Sequence, residues 1–223
     1  LLAGLMTASA VSFTEIIPCT KFTAYGSATG EYPNVSSGKC GENVSWNYED
    51  GVLTISGEGE MYKNYYSQSS IPWDKLRDQI TNAVIENGVE NISDYAFSQC
   101  EKLTSITIAD TVKSIGRMSL SRTALKKITL PKNLQKLNNR CFDETTSLEE
   151  FIIDEDNTKF ATIDGVLFNK DITTILRYPT GRKGSYTIPD TVKTVNSYSF
   201  AWCEKLESIV IPESVMYIED SSF

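Results

Sequence analysis

Any chemistry in this chain has to come from carboxylates, thiols or aromatic rings, because its 223 residues contain no histidine. That absence removes Ser-His-Asp and Cys-His nucleophile activation, imidazole metal ligation and the commonest general acid or base at neutral pH. A glycosidase-like pair of carboxylates survives the cut, since 29 Asp and Glu are present, but availability selects no pair. The run Asp154-Glu155-Asp156-Asn157 comes nearest to a calcium loop. It lacks the glycine at position six and the glutamate at position twelve, so a solvated turn is expected. The five cysteines, Cys19, Cys40, Cys100, Cys141 and Cys203, form no C-x-x-C pair and support no zinc site. Tyr62, Tyr65, Tyr66 and Trp73 could stack on a sugar, but at the junction of two segments packing is the expected role. No catalytic residue, cofactor or metal is assigned, and the chain is not expected to be an enzyme.

Composition narrows the partners. With 40% hydrophobic and 22% charged residues the chain can bury a sizeable core. A net charge of −8 argues against nucleic acid, whose phosphates demand a basic face. No run of eighteen apolar residues is present, so no membrane span is expected within this piece.

The elements that must position any site follow from a phrase of about 23 residues. Starting at Leu103, apolar residues stand at offsets three, five, nine, twelve and seventeen: Ile106, Ile108, Val112, Ile115 and Leu120. Copies starting at Ile80, Leu125, Lys183 and Leu206 repeat those offsets, the last through Ile209, Ile211, Val215, Ile218 and Phe223. A fixed period of this length with an L-x-x-L-x-L core signals a stacked leucine-rich repeat. In Leu103-x-x-Ile106-x-Ile108 strand alternation buries Ile106 and Ile108 and turns Ser105 and Thr107 outward. Pro131, Pro189 and Pro212 follow their strands, where a residue without an N–H can end a ladder. One such coil cannot bury its own apolar face, so stability must come from its neighbours.

The string Ile188-Pro189-Asp190-Thr191-Val192-Lys193-Thr194-Val195, followed by Ser199-Phe200 and Cys203, resembles the BspA-type leucine-rich repeat phrase. Ala96-Phe97 with Cys100, and the pair Ile115-Gly116, occupy matching places, while Ser119-Leu120, Cys141-Phe142, Thr123 and Thr145 depart from it. The resemblance covers about 145 residues, from Ile80 to the end. It implies a secreted or cell-surface protein that binds a protein or another cell-surface macromolecule, adhesin-like in character.

Along the chain, Leu1 to Ala10 reads as the end of an apolar stretch with an A-x-A cleavage site, the remnant of a signal peptide, which implies export. Residues 11–39 read as a linker. Residues 40–79 read as a β-rich N-terminal cap, with Asp50-Gly51 turning a β-hairpin that carries Trp46, Leu53 and Ile55 on one side. A short helix is expected near Ser70-Ile71-Pro72-Trp73. The repeats fill 80–223, interrupted at about 154–182 by a hairpin near 163–178 around Asn169-Lys170-Asp171. The fold expected is thus an α/β-type solenoid dominated by short parallel strands. The chain stops partway through a repeat with no polar closing unit, which implies that it is part of a longer protein. Cys100 and Cys203 fall four coils apart, about 19 Å at strand spacing, too far for a disulfide. Cys19 and Cys40 could pair in an oxidising compartment. A monomer is expected.

Columns of outward residues are the candidate binding surface. Offset four holds Val84, Thr107, Thr129, Ile152, Thr187 and Val210, β-branched throughout as a parallel ladder favours whatever the ligand, so a structural role is expected for most of it. Offsets one and two hold Lys126 and Lys127 in one coil, Glu149 and Glu150 in the next, and Glu207 further on. Opposite charges on neighbouring strands are expected to pair across the ladder. The same mixture suits a protein-binding face built from Lys126, Lys127, Glu149, Glu150, Ile152, Glu207 and Val210. The alternative function is the accessory region of a larger exported glycosidase or peptidase, or a passive surface spacer.

Overall fold

The structure is a computed structural model, described here for residues 36–63 and 65–223. The proposed signal remnant, most of the proposed linker and Cys19 lie outside the described residues. The first elements are an antiparallel meander: β1 (Ser36–Lys39), β2 (Val44–Glu49) and β3 (Val52–Gly57). Asp50 and Gly51 join β2 to β3 with φ of 46° and 85°, the left-handed pair that a tight hairpin turn requires. Trp46 pairs with Ile55 and Tyr48 with Leu53. All four are buried, which sets the inward face. Ser36–Lys39, which composition assigned to a linker, is the edge strand of this sheet.

Two short 3-10 helices, Gln68–Ser70 and Asp74–Gln79, lead from the meander into the coils. No α-helix occurs among the described residues, so the α/β description is corrected to a β-solenoid with little helix. The reason is room. Each regular coil closes in about 23 residues through one strand of four or five residues, one two-residue strand and a run of tight turns, leaving no segment long enough for a helix. Nor does Ser70 cap the second helix; its hydroxyl bonds the Ser67 carbonyl.

Each coil contributes a longer strand to one side and a shorter one to the next: β4 (Asn82–Ile85) with β5 (Asn91–Ile92), β6 (Ser105–Ile108) with β7 (Ser114–Ile115), and β8 (Lys127–Leu130) with β9 (Lys136–Leu137). β10 (Glu150–Ile153) opens a fourth coil. Three further strands then follow: β11 (Phe160–Ile163), β12 (Val166–Asn169) and β13 (Thr174–Arg177). Regular coils resume with β14 (Gly184–Thr187) and β15 (Thr194–Val195), then β16 (Leu206–Val210) and β17 (Tyr217–Ile218). Pairing within each side is parallel and in register: Leu53, Ala83 and Ile106 align, as do Ile92, Ile115 and Leu137.

The third side has no strands but still carries a ladder. Phe97 donates to the Ser119 carbonyl (2.7 Å), Leu120 to Cys141 (2.9 Å) and Phe200 to Ser222 (2.7 Å). Its tight turns put Tyr95, Gln99, Met118, Arg122, Glu144, Tyr198 and Trp202 at positive φ. Each L-residue held there costs about 1–2 kcal/mol, offset by the hydrogen bonds and the burial that the turn allows.

The insertion is more than an excursion. β12 runs antiparallel to both β11 and β13, and β13 runs parallel to β15, so the three strands continue the second side of the stack. Val166, Leu167 and Phe168 are all buried. Leu167 faces a core that reaches back to the hairpin, whereas Val166 and Phe168 face a second core with Ile175, Tyr178, Ile188, Val192, Val195 and Phe200. One strand is the wall between two cores, as its unbroken apolar run fits.

Candidate functional site

The outward side of the longer strands is positioned by the columns beneath it. Ile128 and Leu130 are buried on one face of β8, which forces Lys127 and Thr129 outward. On β10, Phe151 is buried and stacks edge-on against Phe142 at 5.0 Å, which holds Glu150 in the open. Val84 pairs with Thr107, Thr129 with Ile152, and Thr187 with Val210, so the β-branched and threonine column is continuous within each sheet. Ile152 is half-buried and Val210 exposed.

Lys127 and Glu150 are direct partners in the β8–β10 ladder, and the Glu149 amide donates to the Lys126 carbonyl (2.7 Å). All four side chains are exposed. No ion pair closes among them, although other rungs do form such pairs: Lys113–Glu90 (3.1 Å), Arg122–Glu144 (2.7 Å) and Lys132–Asp156 (2.7 Å). The cross-ladder pairing expected for the Lys126, Lys127, Glu149 and Glu150 cluster is therefore corrected. An exposed pair gains under about 1 kcal/mol and must offset the entropy of two long side chains. The result is a double cation beside a double anion, each with its charge directed to solvent. Around them Thr104 and Ala124 complete a shallow groove.

A larger groove of about 590 Å³ opens on the other flank of β10, where Glu149 and Glu150 meet Asp164, Gly181, Arg182 and Lys183. Arg182 donates to the Asp164 carbonyl. This second basic pair was missed in the sequence, although Arg182-Lys183 opens a coil much as Lys126-Lys127 does. Its place beside the glutamates depends on how the insertion folds. Glu207 is exposed on β16, away from both grooves as their lining shows.

The other candidates separate. Trp73 is buried against Trp46 (5.8 Å) and Phe97 (6.2 Å), with its indole N–H donating to the Ala96 carbonyl (2.8 Å), and Tyr65 is buried as well. Tyr62 and Tyr66 remain exposed, so the four rings share no face for a sugar. Asp154 and Asp156 flank the Lys132 ammonium at 3.7 and 2.7 Å, an arrangement that places a cation of the chain's own between them. Among the described residues no group of three or more metal-ligating side chains converges. Cys40, Cys100 and Cys141 are buried free thiols, and Cys203 is half-buried and also free. Burial pushes Cys40, Cys100 and Cys203 up to about 12, which makes them poor nucleophiles.

A family model described as a BspA type leucine rich repeat region matches residues 76–180 and 178–223, in six copies. Among solved structures the chain is similar to a leucine-rich repeat protein from Eubacterium ventriosum, at 26% identity and a TM-score of 0.57, covering 85% of this chain and 63% of that one. It is similar also to a leucine rich cell surface protein from Faecalibacterium prausnitzii, at 29% identity and a TM-score of 0.57, covering 62% of this chain and 37% of that one. The pneumococcal vaccine antigen PcpA shares the fold at 21% identity and a TM-score of 0.52, over 81% of this chain and 71% of its own. The chain thus spans under two thirds of the length of the first two. No curated protein matches it.

Proposed function

The chain belongs to the BspA-type leucine-rich repeat family, and from that premise we propose that it is an exported, cell-surface protein-binding module of adhesin type, without catalytic activity, that engages its partner through the outward face of the longer strands. The observation that carries this reading is the pair of solvent-directed charge bands, Lys126-Lys127 beside Glu149-Glu150, flanked by an uncharged β-branched column. Mixed charge beside an uncharged strand face suits a protein partner, where electrostatic complementarity sets orientation and encounter rate. The cell-surface description of the Faecalibacterium relative and the reading of residues 1–10 as a signal remnant support export. The lack of histidine and the raised thiols of the described cysteines support a non-catalytic role. Residues 40–79 act as the N-terminal cap, a role supported by β3, which offers Leu53 and Ile55 to β4 as a ready-made first rung.

The test is capture of exported host or bacterial proteins from solution by the immobilised chain, compared with Lys126→Glu/Lys127→Glu. The substitutions lie on exposed positions and should leave the melting temperature within about 1–2 °C. Retained partner should fall about tenfold or more, by loss of attraction and gain of repulsion. Unchanged capture at unchanged stability would remove this face from the binding surface.

A further inference from the structure

Arg177 sits where the two cores meet, and the residue is 2% exposed. Its guanidinium reaches in two directions along the stack. Backward, Nη2 donates to the Phe142 carbonyl (3.1 Å) and Nη1 lies 3.5 Å from the buried carboxylate of Asp143, which Arg140 also holds at 2.8 Å. Forward, Nη1 donates to the Tyr198 carbonyl (2.6 Å) and Nη2 to that of Ala201 (3.5 Å). The two turns it joins belong to coils on opposite sides of the insertion. The chain beside it spans the same gap: the Tyr178 amide donates to the Ser199 carbonyl (2.8 Å), the Thr180 hydroxyl to the Thr145 carbonyl, and the Gly181 amide to the Leu148 carbonyl (2.7 Å).

A second arginine shares one contact of this arrangement. Arg77, ahead of the first coil, is buried and donates to the Ser98 carbonyl, which stands at the same repeat offset as that of Ala201. Its Nε also pairs with Asp74 of its own helix (2.7 Å). Stacks of repeats are held by nearest-neighbour contacts, so an interruption that divides the apolar core weakens one link of that series. A buried cation also carries a desolvation penalty, which burial imposes on Arg177 and the Asp143 charge opposes. Such a penalty is reasonable where the group does something that an apolar residue cannot, and only a multidentate donor can satisfy carbonyls of two turns at once.

We propose that Arg177 is the splice that makes the two stacks one cooperative unit, so that the coils before and after the insertion open together in the native chain and separately without it. Strand β12 supplies the apolar wall between the cores; Arg177 supplies the polar tie along the third side.

The test is native-state hydrogen exchange of the full chain, followed by mass spectrometry against denaturant, comparing peptides from 82–151 with peptides from 186–218. In the unmodified chain the most protected amides of both regions should converge on one denaturant midpoint. In Arg177→Met, and to a smaller extent in Arg177→Lys, whose ammonium keeps the charge but cannot span both turns, protection in 186–218 should fall at least tenfold while that in 82–151 holds. Arg77→Met should lower both regions together. Equal losses in the two regions of the Arg177 variants would make Arg177 an ordinary stabilising residue and overturn the proposal, as would unchanged protection. Should Arg177→Met fail to fold, Arg177→Lys decides between the same outcomes, and separate midpoints in the unmodified chain would by themselves refute the splice.

Discussion

Asn157 stands at the repeat offset where other coils carry Val89, Val112, Leu134, Val192 and Val215, and it is as buried as the best of them. Its amide donates to the carbonyls of Lys132 (2.7 Å) and Leu134 (3.1 Å), and its oxygen accepts from the amides of Lys159 and Phe160 (2.8 Å each). One side chain thus ties the third coil to the point where the chain leaves the repeat for β11. The solvated turn expected for 154–157 holds for the three exposed acids and fails at Asn157. Replacing Asn157 by Leu keeps the apolar pattern but takes the partner from four backbone groups, two of them in buried bonds, and should lower stability by about 2–4 kcal/mol in urea unfolding. A neutral Leu variant would mean that water reaches those groups. The buried thiols make a second prediction. An unfolded thiol ionises near about 8.5–9, whereas Cys40, Cys100 and Cys203 hold their protons to about 12 when folded. The folded state therefore binds more protons above pH ~9. Its stability is present in full below that value and is lost as pH rises toward 12, with Tyr186, also pushed up to about 12 by burial, contributing above about 10. The urea midpoint should fall steadily between pH 9 and 11; a flat profile there would contradict the burial of these groups. Iodoacetamide at pH 8 should leave all four thiols unmodified until the chain is unfolded, as peptide mapping can show.

Among the elements, β12 is the one whose two faces do different work. Leu167→Ala removes packing from the core shared with the hairpin, and Phe168→Ala removes it from the core shared with Ile188 and Phe200. Each should cost about 2–5 kcal/mol, the range for truncating a buried Leu or Phe. Combined with Arg177→Met, exchange should show Leu167→Ala acting on 82–151 and Phe168→Ala on 186–218; losses in the opposite regions would mean that β12 is misplaced in the stack. The hairpin of β2 and β3 is simpler. Ile55 is fully buried and pairs with Ile85 across the first parallel rung. Ile55→Asp places an unpaired charge there and should abolish cooperative unfolding by circular dichroism at 25 °C. At Gly116 an added Cβ would lie 2.4 Å from the Asp94 carboxylate and 2.7 Å from its amide, at the site where Asp94 accepts the Arg117 N–H (2.7 Å). This explains the glycine of the Ile115-Gly116 pair without any appeal to its φ.

On the scale of the whole molecule, the absence of histidine leaves no side chain that ordinarily titrates between about pH 5 and 8. Stability should accordingly be flat from pH 6 to 8, and a slope there would reveal a carboxylate perturbed far from its usual range. The parallel rungs, most of the inward columns and the hairpin at Asp50-Gly51 were legible in the amino-acid order. Each follows from side-chain periodicity or turn chemistry within a few residues, repeated until chance is excluded. The coil that opens at β10 was not legible as a full copy, because Asn157 breaks its apolar offsets, and Ile211 and Ile218, inward by offset, are exposed. The site was legible only as columns: Lys126-Lys127 and Glu149-Glu150 do share a surface, but the ion pairs inferred between them do not form, and Arg182, Lys183 and Asp164 join Glu149-Glu150 only because the insertion folds back beside β10. Sequence by itself determined that the coils stack and which residues face in, because that information is local and every coil restates it. Tertiary structure alone decided that the insertion would divide the core at Leu167 and Phe168, that Asn157 would serve in an apolar column, and that Arg177 would be buried across two turns. Those outcomes depend on which carbonyls and apolar faces are left without a neighbour once the repeat is broken, and no single stretch of chain carries that knowledge.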